Sequence, residues 1–316
     1  MREAAGAPAR GRVRDAAISL ARGRVVASFG RRHEVRDDDG KLWTCVRRGR
    51  QQDVACGDLV RFAPTAAGQG VTESVEERSS LLYRSDAFRE KVLAANTDLV
   101  ILVVSGRPMF REILMTRCLA AAHAGGIETV IACNKQDLPE YASARAQLEY
   151  YAALGIEVLA LSARNDVAEL ASRLVNRVGI MVGESGMGKS TLINALVPEA
   201  ATRTGELSSG ADSGRHTTTS ARWFDLPAGG AIIDSPGMQV FGLQHLDQTA
   251  LERGFAEFAP LIGECRFSDC QHGEEPDCRF KALAAVQPRA AQRLAWLREI
   301  MAENRRVAHW DRPGDS

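Results

Sequence analysis

Long apolar runs are missing from this chain. The longest, Leu99 to Val104, has six residues, where a membrane-spanning helix needs about 20. No membrane association is therefore expected. No secretory signal is visible and the cysteine count of seven is odd, which argues against a disulfide framework and for a cytoplasmic protein. Net charge is missing too. Forty Lys plus Arg balance forty Asp plus Glu, so the chain as a whole carries no general attraction for polyanions. Its 316 residues leave room for two or three domains with a sizeable core.

Two short strings carry the chemistry, and their order matters. Gly183-Glu184-Ser185-Gly186-Met187-Gly188-Lys189-Ser190 fits GxxxxGK[ST], the phosphate loop whose backbone N–H groups and lysine cradle a nucleotide. Asn134-Lys135-Gln136-Asp137 fits NKxD, the guanine reader of GTPases. The reader ordinarily follows the phosphate loop. Here it begins 49 residues before it. That order marks a circularly permuted GTPase domain.

The surroundings predict a doubly wound α/β sheet. Asp98 to Val104 reads as a strand buried on both faces. Helix 111–124, strand 127–133, helix 140–154, strand 156–161, helix 166–177 and strand 178–182 follow, and a further helix starts near Lys189. Alternating strands and helices imply parallel βαβ units with ligands at the carboxyl ends of the strands. Both strings lie at such ends.

Guanine specificity has a physical cause. The Asp137 carboxylate can accept from the ring N–H and the amino group of guanine, whereas adenine offers it a lone pair. An unpaired charge costs several kcal/mol, enough for about 10⁴-fold discrimination. Asn134 and Lys135 are expected to brace the loop and cover the base. Ser162-Ala163, ending a strand, matches the short motif that helps seat guanine.

On the phosphate side, Lys189 is expected to bridge the β- and γ-phosphates, with Ser190 binding Mg²⁺ and Thr191 beside it. Asp234-Ser235-Pro236-Gly237 matches DxxG, in which the aspartate holds Mg²⁺ through water and the glycine N–H meets the γ-phosphate. Residues 205–220 lack periodicity and read as a loop. Its end, Arg215-His216-Thr217-Thr218-Thr219, supplies the threonine that senses the γ-phosphate through Mg²⁺. Thr218 is the choice, with Thr217 next. A Ras-type glutamine directly after DxxG is absent, because Met238 stands there and Gln239 lies one residue further on. His216 is the candidate to orient or deprotonate the attacking water, and turnover without a partner is expected to be slow.

Three of the seven cysteines crowd together as Cys265-x4-Cys270-x-His272-x5-Cys278. Three thiolates and one imidazole form a closed tetrahedral set, the ligand count of one structural Zn²⁺. Cys45, Cys56, Cys118 and Cys133 read as small buried residues.

The ends of the chain are basic. Residues 1–62 hold 14 Lys plus Arg against 8 Asp plus Glu, and residues 279–316 hold 8 against 4, leaving −10 for the middle. This suits RNA binding by the flanking segments. Short strands at 23–29, 42–47 and 58–62 suggest a small barrel of the OB or SH3-like kind. Residues 76–97 read as a polar linker. Segments 246–262 and 288–307 read as helices, the latter with Leu294, Leu297, Ile300 and Met301 as a packing stripe.

Taken together, the permuted order, Leu81-Leu82-Tyr83-Arg84, Ala94-Ala95-Asn96-Thr97-Asp98, Gly214 to Thr219 and Asp234 to Gly237 resemble the bacterial small-subunit-dependent GTPase A family, the RsgA or YjeQ type. The resemblance spans nearly the whole chain and includes the zinc motif. It implies an OB-fold (1–78), a circularly permuted GTPase domain (79–245) and a helical zinc-binding domain (246–316). It also implies late maturation of the small ribosomal subunit as the role, with that subunit and its 16S rRNA as partners beside other assembly factors. GTP/GDP, Mg²⁺ and zinc are the implied cofactors. Nothing demands more than a monomer. Two departures concern switch coupling: family members usually carry arginine and glutamate after DSPG, where this chain has Met238-Gln239-Val240, and its loop before His216 is serine-rich. The alternatives are a permuted GTPase of the large subunit or of tRNA modification, and an RNA-binding assembly scaffold with a slow nucleotide site.

Overall fold

The computed structural model describes residues 20–47, 53–86, 89–198, 200, 221–235 and 241–310. At the N-terminus, β1 (Ala21–Phe29), β2 (Arg32–Asp37), β3 (Leu42–Arg47), β4 (Leu59–Ala66) and β5 (Gln69–Val75) form a barrel. The pairings run β1–β2–β3–β5–β4 and close through β4–β1, with β3 and β5 parallel and the rest antiparallel. That closure, with its one parallel pair, is the OB connectivity, and it resolves the choice between barrel types. Alternation turns Val25, Val35, Cys45, Val60 and Phe62 inward into a core of their own.

Residues 76–97 are not a linker. They fold into a hairpin of β6 (Leu81–Asp86) and β7 (Arg89–Ala95), whose Leu82, Leu93 and Ala94 join the main core. The charged residues Arg84 to Lys91 dominate the composition there and hid the apolar ends of the strands. The hairpin also holds the barrel: Ala95 N–H donates to Cys56 O (3.0 Å) and Asn96 Nδ2 to Gly57 O (3.0 Å). Gly57, at φ +95, lies so close that a Cβ there would sit 2.1 Å from Ala95 O.

The central sheet has the order β10-β9-β8-β11-β13-β12. Its strands β8 (Leu99–Ser105), β9 (Glu128–Asn134), β10 (Glu157–Ala160), β11 (Val178–Val182) and β13 (Ala231–Asp234) are parallel. Every residue of β8 is buried, as expected for a strand covered on both faces. The unforeseen β12 (Ala221–Asp225) runs antiparallel to β13 and pairs with β1 (Ala27↔Arg222, Ser28↔Ala221). Barrel and nucleotide domain thereby share one eleven-stranded sheet.

Helices α1 (Glu112–Ala124), α2 (Tyr141–Ala153), α3 (Ala168–Arg173) and α4 (Lys189–Leu196) cover the sheet. α3 is shorter than predicted because Asn176 takes a left-handed φ of +55°. The predicted helix 246–262 is broken. α5 (Gln248–Arg253), capped by Asp247, ends at Gly254, and only a 3₁₀ turn (Ala259–Leu261) follows. Gly254 packs on α1, where a Cβ would come within 2.6 Å of Ala120. α6 (Arg279–Val286), also unforeseen, and α7 (Pro288–Trp310) complete the fold. Leu294, Leu297, Ile300 and Met301 are buried, and they belong to the same core cluster as β8 and α1. No helix among the described residues is long and apolar enough to cross a membrane.

Candidate functional site

The phosphate loop joins β11 to α4. Gly188 stands at φ +97 before the first turn of α4, and a Cβ there would meet Asn134 Nδ2 at 2.3 Å. Glycine is therefore required twice over, by backbone angle and by the approach of the base-reading loop. Lys189 is buried, and its Nζ donates to Gly183 O (2.7 Å) and Glu184 O (2.9 Å). Burial holds this ammonium below its usual range, and the nearby Asp234 partly offsets it. Burial likewise pushes the Asp234 carboxyl up, against the pull of Lys189 and Arg222. Met187 is buried, and its sulfur accepts from Ser105 Oγ (3.3 Å). Ser185, Ser190 and Thr191 are exposed, the latter two on the first turn of α4. α4 thus directs its unpaired N–H groups and positive dipole end at the loop, the arrangement that attracts phosphate.

The two permuted strings meet in space. Asn134 is buried at the end of β9; its Nδ2 donates to Met187 O (2.9 Å) and its Oδ1 accepts Ala163 N–H (3.0 Å). Lys135, at φ +63, donates through Nζ to Gly186 O (2.6 Å) and to Arg107 O. These two residues stitch the base-reading loop to the phosphate loop. Gln136 N–H donates to Leu161 O (2.9 Å), and Ser162 Oγ donates to Asp137 Oδ1 (2.7 Å). The Ser162 hydroxyl holds the exposed Asp137 carboxyl below its usual range.

Hard oxygen donors suited to Mg²⁺ lie at hand in the Ser190 hydroxyl and the Asp234 carboxylate, which ends β13. Ser235 is buried and donates to Met181 O (2.7 Å), pinning the start of DxxG to β11. His216, Thr217, Thr218, Gly237, Met238 and Gln239 lie outside the described residues.

Glu184, expected as part of the nucleotide-binding phosphate loop, has a second engagement. Its carboxylate accepts Arg111 N–H (2.7 Å) and Arg111 Nε at the N-terminus of α1. Nothing in the local pattern announced this pair, whose members stand 73 residues apart.

Cys265, Cys270, His272 and Cys278 converge, with their donor atoms within 4.8 Å of one another. Cys265 Sγ lies 3.8 Å from His272 Nδ1 and 3.9 Å from Cys278 Sγ, and His272 Nδ1 lies 3.4 Å from Cys278 Sγ. A tetrahedron with bonds of about 2.3 Å to sulfur has edges of about 3.8 Å, near the separations among Cys265, His272 and Cys278, so the donor set suits zinc. On the far side of the ring, His272 Nε2 meets Glu252 Oε1 at 2.9 Å, buried on both sides. That hydrogen bond would fix the tautomer and leave Nδ1 as the ligand atom. Glu252 also accepts Gln248 Nε2 (2.6 Å), and Gln248 donates to Cys270 O (2.8 Å). The His272 ring stacks on Phe280 (3.8 Å between centroids), and Phe280 stacks on Phe258 (4.7 Å). No local pattern pointed to Glu252, which sits on α5 while all four ligands lie in the loop that precedes α6.

Comparison with known proteins fits this geometry. The RsgA GTPase family model matches residues 75–244. The chain is 49% identical over 259 residues to a protein of Nitrosospira multiformis named small ribosomal subunit biogenesis GTPase RsgA, covering 81% of this chain and 82% of the other. Proteins of the same name from Neisseria meningitidis serogroup B (45% identity, 88% and 91% covered) and Bordetella pertussis (47%, 90% and 96%) are similarly related. Among solved structures, YjeQ from Thermotoga maritima superposes with a TM-score of 0.66 at 30% identity, covering 90% of this chain and 99% of its own. YloQ, a circularly permuted GTPase, shares the fold with a TM-score of 0.64 at 22% identity, covering 97% and 100%. With its guanine-reading and phosphate loops bonded together in permuted order, the chain belongs to the RsgA GTPase family.

Proposed function

We propose that this GTPase works in the biogenesis of the small ribosomal subunit, the role named for its relatives, and that it hydrolyses GTP there as a subunit-stimulated switch. The observation that carries the reading is the Asn134 bridge, which accepts from Ala163 and donates to Met187. One side chain thereby holds the guanine seat and the phosphate loop as a single site.

Within that site, Asp137 reads the base and Lys189 neutralises the β- and γ-phosphates. Glycine N–H groups of residues 183–188 cradle the oxygens. Ser190 and Thr218 would hold Mg²⁺, with Asp234 acting through water, and the metal would offset charge on the γ-phosphate. Gly237 senses that phosphate, and His216 orients the attacking water. The products are GDP and inorganic phosphate. Zinc, held by Cys265, Cys270, His272 and Cys278, serves structure alone, since the closed set leaves no open position. The basic barrel (1–78) and the zinc unit (246–316), which is basic in its segment 279–316, flank the GTPase domain (79–245) and grip 16S rRNA. Exposed Phe29 beneath Arg222 (5.5 Å) and exposed Phe267 beneath Arg266 (5.5 Å) offer stacking surfaces at both ends.

Asp137→Asn is expected to weaken GTP binding and improve binding of xanthosine triphosphate, because the amide donates to the extra carbonyl of xanthine. Competition binding with both nucleotides checks this, and retained guanine preference would remove Asp137 as the reader. Turnover with and without purified small subunits tests the function itself. His216→Ala should keep GTP affinity yet lose the stimulated rate by about 10²-fold. A normal stimulated rate in that variant would move water activation to Gln239 or to the ribosome. If small subunits do not stimulate the unmodified protein, the scaffold reading replaces this one.

A further inference from the structure

We infer that Glu184 is a positioning residue that couples the phosphate loop to the docking of the C-terminal helices through the first turn of α1. The inference rests on residues 183–190 being the nucleotide site, and it adds a route of regulation to that site.

The connection is a continuous chain of polar contacts. Arg111 precedes α1 and supplies no side-chain cap of its own. The Glu184 carboxylate supplies one from the phosphate loop, accepting both the Arg111 backbone N–H (2.7 Å) and its Nε. A carboxylate there also meets the positive end of a 13-residue helix. The next residue, Glu112, faces the other way. Its Oε1 accepts Arg289 Nη2 of α7 (2.6 Å) and the Tyr151 hydroxyl (2.7 Å), and its Oε2 accepts Arg289 Nη1 (3.2 Å). Tyr151 in turn accepts Arg293 Nη1 of α7 (2.8 Å). One helical turn thus holds the phosphate loop through Arg111 and the C-terminal helix through Glu112.

A nucleotide has a handle on this chain. Lys189 Nζ donates to Glu184 O (2.9 Å), and a phosphate oxygen competes for the same ammonium protons. Any change in that bond acts on the peptide whose side chain caps α1. The middle of α1, Leu114 to Ala122, is buried throughout, so the helix transmits a shift of its first turn as a rigid body and does not absorb it.

The test uses the full chain, labelled GDP as the probe, and hydrogen exchange of α7 as a second readout. In the unmodified protein, GDP should change exchange of the α7 amides. Glu184→Gln should abolish that nucleotide dependence while α7 stays protected. Arg289→Gln touches no part of the nucleotide site, yet it should change the Kd for GDP by about 5-fold. In the Glu184→Gln background the same substitution should have no further effect, and Arg289→Lys should restore part of the affinity. If Glu184→Gln does not bind GDP, Arg111→Gln, which leaves the loop sequence intact, takes its place in the cycle. Independent effects of the two substitutions on Kd, or α7 exchange equally GDP-dependent without Glu184, would overturn the coupling and leave the nucleotide site standing. Failure of the unmodified protein to bind GDP would overturn both.

Discussion

Replacing Cys270 by alanine should strip the protein of its metal and melt its C-terminal unit. Cys270 is buried, and burial pushes its thiol up to about 12, so only a cation among the four ligands stabilises the thiolate at neutral pH. Binding energy at such sites is on the order of 10 kcal/mol and is folding energy. α5 and α6 are anchored in the main core by Leu251 and Phe280, whereas the loop 263–278 between the 3₁₀ turn and α6 buries only the ligands Cys270, His272 and Cys278 and depends on the metal for its order. Zinc should fall from about one equivalent to near zero by metal analysis, and residues 246–286 should lose protection. GDP binding should survive at a lower melting temperature, because Asn134 and Lys135 tie the base-reading loop to Met187 and Gly186 of the phosphate loop, all outside the C-terminal unit. A freshly purified protein without zinc, or a Cys270→Ala variant that keeps a full equivalent, would refute the site.

Glu257→Ala should be the most destabilising single change outside the metal centre. Arg293 of α7 is the largest fully buried side chain of the described residues. It pairs with Glu257, donates to Thr116 Oγ1 (2.9 Å) and Tyr151 OH (2.8 Å), and lies 4.9 Å over the rings of Tyr151 and Phe255. Removing the carboxylate leaves a guanidinium buried without its counter-charge, at a cost of about 3–5 kcal/mol. At this chain length that lowers the melting temperature by about 10 °C. Glu257→Ala combined with Arg293→Met should recover most of the loss, since no charge is then buried. Thermal denaturation of both variants checks this, and an unchanged melting temperature for Glu257→Ala would show that Arg293 is served by its aromatic and hydroxyl neighbours alone.

What could be read along the chain was whatever is encoded in consecutive residues. NKQD, the phosphate loop, DSPG and the cysteine cluster are short strings whose chemistry demands fixed spacing, so they were visible one by one. β8 was legible because a strand covered on both faces must be apolar throughout, and the stripe on α7 because packing repeats every three or four residues.

Features made by residues far apart were not legible. β12, Ala-Arg-Trp-Phe-Asp, carries two charged residues and no apolar run of the kind that marks β11 and β13, and its pairing with β1 joins Ala27 to Arg222. The hairpin 81–95 was masked by its own charged centre. Position 254, at the end of α5, must be glycine because Ala120 leaves no room for a Cβ, a constraint that lies on another helix. Glu252 behind His272 and Glu184 on Arg111 are likewise single polar residues, whose meaning depends on a partner brought near by the fold.

Residue type at short fixed spacing was enough for the nucleotide class, the permuted order and the cysteine–histidine cluster. Tertiary structure decided that barrel and nucleotide domain share one sheet, that the zinc unit shares its core with α1, and that Glu184 and Glu112 tie opposite sides of one helical turn. Such contacts arise only after distant segments have been brought together by burial of apolar surface, which acts without direction and leaves no local signature.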